Sequence, residues 1–238
     1  MCFEEEQLHL KDCIFYYSHH HISVYCCTQY RKEPLMIKAL ILDYGNVISL
    51  TDTKAIDETM ATETGIPVEA FGNLYSTHRS DFDRGIINGE EMYKRLLQNN
   101  GYEEAAKDAG LLKKMVDIDL AAWRTLNKDV CDWALNIQKQ GFKLGILSNM
   151  PYQFLDRYEK EIPPFVAADY ACFSCRLHLI KPEPEIYLNC LEGLGISADE
   201  AVFFDDLERN IEAAQKLGFH AFVWTGLVQA QKDWLSCL

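Results

Sequence analysis

Short apolar runs alternate with helix-spaced apolar stripes along most of the chain. Residues 37–42 form a nearly continuous apolar run, which is typical of a strand buried on both faces of a sheet. Three later runs have the same character, at 144–147, 201–204 and 221–224. Before the run at 144–147, one face of a predicted helix is marked by the spacing of Val130, Trp133, Ala134 and Ile137. Gly141 follows as a helix stop.

Strands and helices therefore alternate. Helical segments are also predicted at 186–191, ending near Gly193 and Gly195, and at 211–217, ending at Gly218. Such alternation predicts an α/β fold, with a Rossmann-like, mostly parallel sheet covered by helices.

Residues 53–127 interrupt this rhythm because they contain no comparable apolar run. They predict several helices, at 55–64, at 68–78, after an Asn88 cap with Glu91 at the third position, and up to Trp123. We therefore expect an all-helical cap domain at 53–127, inserted into a catalytic core formed by 36–52 and 128–238.

Residues 1–35 mix Tyr, Cys and His without a clear period. Three histidines follow one another at 19–21, but neighbouring residues on a strand point to opposite faces and make poor co-ligands. We interpret 1–35 as a loosely packed or disordered extension, or as sequence upstream of a wrongly assigned start.

Composition narrows the classes of function. The 238 residues carry a net charge of −13, and no basic run offers the face that a nucleic-acid partner requires. No stretch is apolar enough to span a membrane, and no signal peptide is visible, so we predict no membrane partner. The nine cysteines are odd in number and irregularly spaced, so we predict reduced thiols and a cytoplasmic location.

Polar side chains gather where the predicted strands end. Asp43 ends the first strand, Ser148 and Asn149 end the second, and the pair Asp205–Asp206 ends the third. In an open parallel sheet these carboxyl ends meet at one edge, where ligands bind. Carboxylates meeting there repel one another unless a hard dication such as Mg²⁺ lies between them.

The remaining polar groups at this edge suit an anion. Ser148 offers a hydroxyl donor, and Lys181, placed before Pro182 at a helix start, offers a point charge. A metal beside an anion and a free carboxylate describes phosphoryl transfer, in which an aspartate can itself be the nucleophile.

Four segments in order, "LILDYGNV", "ILSN", "KPEPEIY" and "VFFDDLERNIEAAQKLG", resemble the haloacid dehalogenase (HAD) superfamily over residues 37–224. The helical insert lies where that superfamily places its first (C1) type of cap. The motifs look closest to small bacterial sugar-phosphate phosphatases, such as those acting on α-glucose 1-phosphate, and to the phosphatase-like N-terminal domains of epoxide hydrolases.

This resemblance implies a role for each motif residue and a small phosphorylated metabolite as the partner. Asp43 would be the nucleophile and, with Asp206 and the backbone carbonyl of Gly45, would bind Mg²⁺. The phosphate would be bound by Ser148, Asn149 and Lys181, the last also counted as catalytic. Asp205 and Asn210 would support the metal site.

Gly45 departs from the superfamily pattern, because most such phosphatases carry an acid two residues after the nucleophile. Three hypotheses remain open. A phosphatase could take its proton from a metal-ordered water or from His78, Asp81 or Asp83 in the cap. A dehalogenase would attack carbon and need no metal. A binding protein would have lost catalysis.

Four further residues have two readings each. Asn210 either orients the metal site or caps a helix, and Asn149 either touches the phosphoryl group or caps a turn. For Trp123 we expect a core position rather than a substrate platform, and for Arg84 a surface salt bridge.

Overall fold

The structure, a computed structural model, describes the backbone of residues 9–10, 13–18, 21–25 and 36–238. The chain divides into two units, Met1–Met36 and Ile37–Leu238. In the first unit the described backbone forms an antiparallel sheet of β1 (His9–Leu10), β2 (Cys13–Ser18) and β3 (His21–Tyr25). His19 and His20, considered above as metal ligands, lie outside the described residues.

The second unit is built on a five-stranded sheet whose neighbouring strands all run parallel. Its order is β6-β5-β4-β7-β8. The strands are β4 (Ala39–Leu42), β5 (Lys143–Ser148), β6 (Tyr170–Phe173), β7 (Ala201–Asp205) and β8 (His220–Val223). The predicted parallel α/β fold is thus confirmed, and the sheet has an additional edge strand, β6, that was not predicted.

The central strand β4 is buried on both faces, as its apolar run predicted. Alternate residues of a strand point to opposite faces, and β4 accordingly divides between two apolar cores. Leu40 and Leu42 enter the core that also contains the helices between β4 and β5, whereas Ala39 and Ile41 enter the core on the other face.

Helices and turns, without a strand, fill the chain between Thr53 and Ala122 in the described structure. We call this segment the helical insert; it contains α1 (Thr53–Thr64), α2 (Val68–Asp83), α3 (Gly89–Asn99) and α4 (Ala109–Ala122). Asn88 caps α3 as predicted, because its side chain accepts a hydrogen bond from the Glu91 amide at 2.8 Å. The division into a core and a cap at 53 and 127 stays a prediction.

The remaining helices cover the two faces of the sheet. They are α5 (Lys128–Lys139), α6 (Tyr152–Tyr158), α7 (Pro163–Ala167), α8 (Ser174–Leu177), α9 (Pro184–Leu194), α10 (Glu208–Lys216) and α11 (Leu227–Ser236). Across the part of the chain that is described, none of the helices is both long and apolar enough for a membrane span.

Candidate active site

Asp43 follows the last residue of β4, so the sheet itself fixes its position. Its amide donates to the carbonyl of Phe204 in the neighbouring strand at 2.9 Å. The side chain is buried, and its partners are all on one oxygen: Oδ1 accepts from the Tyr44 amide at 2.6 Å and lies 2.8 Å from Lys181 Nζ. Oδ2 is the oxygen of Asp43 that these contacts leave for the adjoining cavity.

The chain turns sharply after Asp43, and this turn brings Asn46 to the site. Asn46 has a φ of +54°, in the left-handed region that asparagine tolerates better than most residues. Its Nδ2 donates to Asp206 Oδ2 at 2.9 Å. Asn46 was not predicted as a site residue, because its only local signal is its position directly after the glycine of the turn.

Asp205, the last residue of β7, is fully buried and surrounded by donors. Lys181 Nζ lies 2.5 Å from Oδ2, the Leu207 amide donates to Oδ1 at 2.9 Å, and Asn210 Nδ2 lies 2.9 and 3.0 Å from the two oxygens. Asn210 is the third residue of α10, and Leu207 occupies the cap position. The N-cap reading of Asn210 is therefore wrong, and its amide orients Asp205.

Asp43, Asp205 and Asp206 form the acidic centre of the site. One oxygen from each lies within 4.8 Å of the others. Burial raises the pKa of Asp43 to about 7, against the lowering effect of Lys181, and the neighbouring Asp205 raises it further. Burial also raises the pKa of Asp206. Crowded carboxylates that are costly to ionise suit a hard dication, so this donor set fits Mg²⁺.

Lys181 is the buried cation that faces two of these acids. Burial alone lowers its pKa, but Asp205 and Asp43 outweigh that effect and hold the pKa above its ordinary value. Asn149 holds the main chain of Lys181: the Lys181 amide donates to Asn149 Oδ1 at 2.8 Å, and Asn149 Nδ2 donates back to the Lys181 carbonyl at 3.1 Å. Asn149 therefore positions the lysine rather than capping a turn.

A cavity of about 260 Å³ opens beside these groups. The structure brings nearly every residue predicted for the site to its wall, and places Asp205 just behind it. The lining residues from this set are Asp43, Gly45, Ser148, Asn149, Lys181, Asp206 and Asn210. The convergence follows from the parallel sheet, because β4, β5 and β7 are neighbours and end at the same edge.

The helical insert also lines the cavity, through Arg79 and Asp83, and so does Trp123, the residue directly after the insert. Arg79 Nε donates to Asp83 Oδ1 at 2.9 Å, and Arg79 Nη1 lies 3.2 and 3.1 Å from the two oxygens of Asp119. Arg79 and Asp119 were not predicted, since nothing in the local sequence marks a contact across 40 residues. Trp123 is half-buried: it packs against the apolar core, as predicted, and it also lines the cavity.

The three predicted cap proton donors do not share one location. Asp83 is buried at the cavity, and burial raises its pKa while Arg79 lowers it. Asp81 is absent from the cavity wall and lies 3.6 Å from Arg95. The side chain of His78 lies outside the described residues.

Arg84 connects the helical insert to the segment that carries Lys181. Its guanidinium forms a two-pronged ion pair with Glu183, and Nη1 also donates to the carbonyl of His178 at 3.0 Å. His178 returns the contact, since its Nδ1 lies 2.7 Å from the Arg84 carbonyl. The predicted salt bridge is confirmed, and it joins two separate parts of the fold.

Sequence comparison gives three findings. A family model described as haloacid dehalogenase-like hydrolase matches residues 37–218. The mouse bifunctional epoxide hydrolase 2 is 27% identical over 165 residues, covering 61% of this chain, and the chain spans only 29% of that protein's length. A Mycobacterium tuberculosis phosphatase is 23% identical over 198 residues, covering 79% of this chain and 88% of that protein.

Solved structures agree on the fold. A HAD family enzyme from Bacteroides thetaiotaomicron, in complex with magnesium and inorganic phosphate, superposes with a TM-score of 0.62 at 22% identity, covering 79% of this chain and 93% of that one. The L-2-haloacid dehalogenase of Xanthobacter autotrophicus gives 0.61 at 19% identity, covering 82% and 80%. The solved structures share the fold, and the family model, which matches more than half of the chain, shows that the chain belongs to the haloacid dehalogenase-like hydrolases.

Proposed function

We propose that this hydrolase is a Mg²⁺-dependent phosphatase that acts on a small phosphomonoester, with a sugar phosphate as the favoured substrate and Asp43 as the nucleophile. The observation that carries the proposal is the group of three carboxylates, Asp43, Asp205 and Asp206, beside the buried Lys181. Attack on a carbon–halogen bond does not require a metal held by carboxylates. Phosphoryl transfer requires both a metal and a positively charged side chain beside the phosphate.

Each residue of the site then has a role. Asp43, Asp206 and the carbonyl of Gly45 would hold Mg²⁺, with Asn46 orienting Asp206. Ser148 and Lys181 would bind the phosphate, and Asn149 would hold Lys181 in place. Asp205 and Asn210 would keep Lys181 charged and directed at the site. The metal would neutralise charge on the phosphate and hold it in line for attack.

The proposed reaction has two displacement steps at phosphorus. Asp43 Oδ2, the oxygen not occupied by Lys181 and the Tyr44 amide, attacks the phosphorus atom as the bond to the leaving oxygen breaks. A water molecule then attacks the phosphorus of the aspartyl-phosphate. That step releases inorganic phosphate and restores the carboxylate.

The glycine at position 45 shapes which leaving groups are suitable. A general acid contributes about 10²–10⁴-fold to such reactions, and Gly45 cannot supply one. Asp83 lines the same cavity and is the described acid of the helical insert best placed to assist. We therefore expect a preference for leaving oxygens that need little protonation.

Two comparisons support the phosphatase proposal, and one supports a different reaction. The M. tuberculosis relative is named as a phosphatase, and the B. thetaiotaomicron enzyme was crystallised with magnesium and phosphate. The X. autotrophicus relative is a dehalogenase with chloropropionic acid covalently bound. Gly45 is compatible with a dehalogenase, which needs no acid, so 2-haloacid hydrolysis is the alternative.

A cytoplasmic location is supported by the free thiols of the described residues, at Cys131, Cys172, Cys175, Cys190 and Cys237.

One assay set tests these alternatives. Purified protein is given an aryl phosphate with Mg²⁺ or with EDTA, and in parallel 2-chloropropionate. We expect phosphate release that requires Mg²⁺, no chloride release, and loss of at least about 10³-fold in the Asp43→Asn variant. Chloride release that persists in EDTA would establish the dehalogenase instead. If neither phosphate nor chloride is released, the proposal is refuted and the protein is better explained as a binding protein without catalysis.

A further inference from the structure

Trp123 stands in the space that a side chain at position 45 would need. An ideal Cβ built on Gly45 comes within 3.3 Å of Trp123 Cζ3 and 4.0 Å of Asp43 Oδ2. The backbone is not the obstacle, because a φ of −62° and a ψ of 126° are ordinary for any residue. A Cβ at this position would therefore require the indole to move by a few tenths of an ångström.

The indole is fixed from several directions. Trp123 Nε1 donates to Asp119 Oδ1 at 3.1 Å, and the guanidinium of Arg79 lies 5.7 Å from the ring centre. The main chain is also held, since the Tyr44 hydroxyl donates to the Trp123 carbonyl at 2.5 Å. Asp119 is fully buried. A ring with these contacts cannot yield easily to an added side chain.

The cavity is lined by apolar as well as charged side chains. The indole, Met150 and Phe154 are apolar, whereas Asp43, Lys181 and Asp206 are ionisable. A phosphate held by the charged groups would leave the rest of a substrate in the same cavity as the indole. An aromatic side chain packs well against the face of another ring.

From these contacts we infer that Trp123 is the residue that determines leaving-group specificity, by packing against a ring face of the leaving group. The inference rests on the proposed phosphatase function. It also explains Gly45: the same indole excludes an acid from position 45. The shared chemistry is an apolar ring face, which the C–H groups of a pyranose or the π face of an aryl group could supply.

The kinetic test compares ring and acyclic substrates. Wild-type, Trp123→Phe and Trp123→Ala proteins are assayed with an aryl phosphate, a hexose phosphate and glycerol phosphate. We expect Trp123→Ala to lower kcat/KM by about 10-fold or more for at least one ring substrate and by less than about 3-fold for glycerol phosphate. The Phe variant keeps a ring and should retain most activity. Whichever ring substrate loses more identifies the leaving group.

The neighbouring Arg124 supplies a matched control. Its side chain is exposed, pairs with Glu161 and is absent from the cavity wall. Arg124→Ala should leave the kinetics of all three substrates unchanged. Equal losses for ring and acyclic substrates in Trp123→Ala would overturn the inference, because the ring would then serve only the structure.

A second measurement does not depend on catalysis. Gly45→Ala and Gly45→Asp are made in the wild type and in Trp123→Ala, and melting temperatures are compared. We expect both substitutions to destabilise the wild type and to be better tolerated once the indole is absent. Equal effects in the two backgrounds would show that the indole does not occupy this space.

The two measurements separate failure of the inference from failure of the proposed function. A wild-type protein that hydrolyses no phosphomonoester refutes the phosphatase and the specificity role together, while the melting temperatures still test the packing of the indole on Gly45. A working phosphatase with no ring preference refutes the specificity role alone. In Trp123→Ala, Gly45→Asp should also raise the rate on glycerol phosphate, since it adds an acid near Asp43 Oδ2.

Discussion

Asn149 and Lys181 exchange two hydrogen bonds, one through each end of the asparagine side-chain amide. Asn149 Oδ1 accepts from the Lys181 amide at 2.8 Å, and Nδ2 donates to the Lys181 carbonyl at 3.1 Å. Asn149 follows β5 directly, so the sheet holds the base of the lysine whose ammonium group contacts Asp43 and Asp205. The position of the cation thus depends on a residue 32 positions away.

Asn149→Ala removes both hydrogen bonds and should release the Lys181 main chain. We expect kcat/KM to fall by about 10–100-fold, because a displacement of 1 Å can cost 10²-fold in rate. Phosphate release at saturating Mg²⁺ measures it. Asn189→Ala is the control, since Asn189 accepts from Tyr170 away from the cavity. Wild-type kcat/KM in Asn149→Ala would contradict this role.

Asp43 should make the metal-free protein less stable as the pH rises. Its pKa is about 7 in the folded chain, against an ordinary value of 3.8, so between these values the folded chain binds more protons than the unfolded chain. Stability from this group is therefore present below pH 4 and declines through pH 7. We expect Asp43→Asn, measured in EDTA, to raise the melting temperature at pH 8 by at least about 3 °C, as roughly 2–4 °C corresponds to 1 kcal/mol.

The same variant should show a smaller gain at pH 5, where wild-type Asp43 still holds its proton. Lys181 keeps Asp205 as a partner at 2.5 Å, so the substitution does not leave the lysine unpaired. Thermal unfolding at the two pH values, with and without Mg²⁺, provides the measurement. An Asp43→Asn protein that melts below the wild type at pH 8 in EDTA would show that the buried charge is not destabilising.

Asn46 should control metal affinity through Asp206. Removing a partner that orients a metal ligand typically costs about 10–100-fold in metal affinity or activity. Asn46→Gly keeps the left-handed backbone and removes only the contact to Asp206, so we expect about a 10-fold increase in the Mg²⁺ concentration for half-maximal activity. Asn46→Ala should show the same loss together with a lower melting temperature from backbone strain. Unchanged Mg²⁺ dependence in Asn46→Gly would exclude this role.

Asn210 should be required for stability because its amide satisfies the fully buried Asp205. Asn210→Leu removes those hydrogen bonds, and we expect a loss of about 1–3 kcal/mol. Asn210→Asp should be worse at pH 8 than at pH 5, since it places a second carboxylate beside Asp205. Urea unfolding at both pH values measures the free energy of unfolding of each variant relative to the wild type. A variant Asn210→Asp more stable at pH 8 than at pH 5 would contradict this account.

Much of the core could be predicted because its signals are local. The apolar runs at β4, β5 and β7 mark buried strands, and parallel pairing brings their carboxyl ends together, which places Asp43, Ser148 and Asp205 at one edge. The edge strand β6 escaped because two of its four residues are only half-buried, so it shows no continuous apolar run. Asn210 was identified as a candidate, but its role could not be chosen from the sequence. An asparagine near the start of a helix can equally well cap the helix or orient a neighbouring carboxylate.

The amino-acid sequence alone determined the alternation of strands and helices, the polar residues at the strand ends and the resemblance to a hydrolase family, since hydrophobic period and motif order can be read along the chain. Tertiary structure alone decided which side chains from distant parts of the chain meet at the cavity. Asn46 reaches Asp206 across 160 residues, and Trp123 reaches Gly45 from the end of α4. Such contacts depend on how packed elements meet in space, so the proximity of Trp123 to Gly45 could not be read from the residues next to either one.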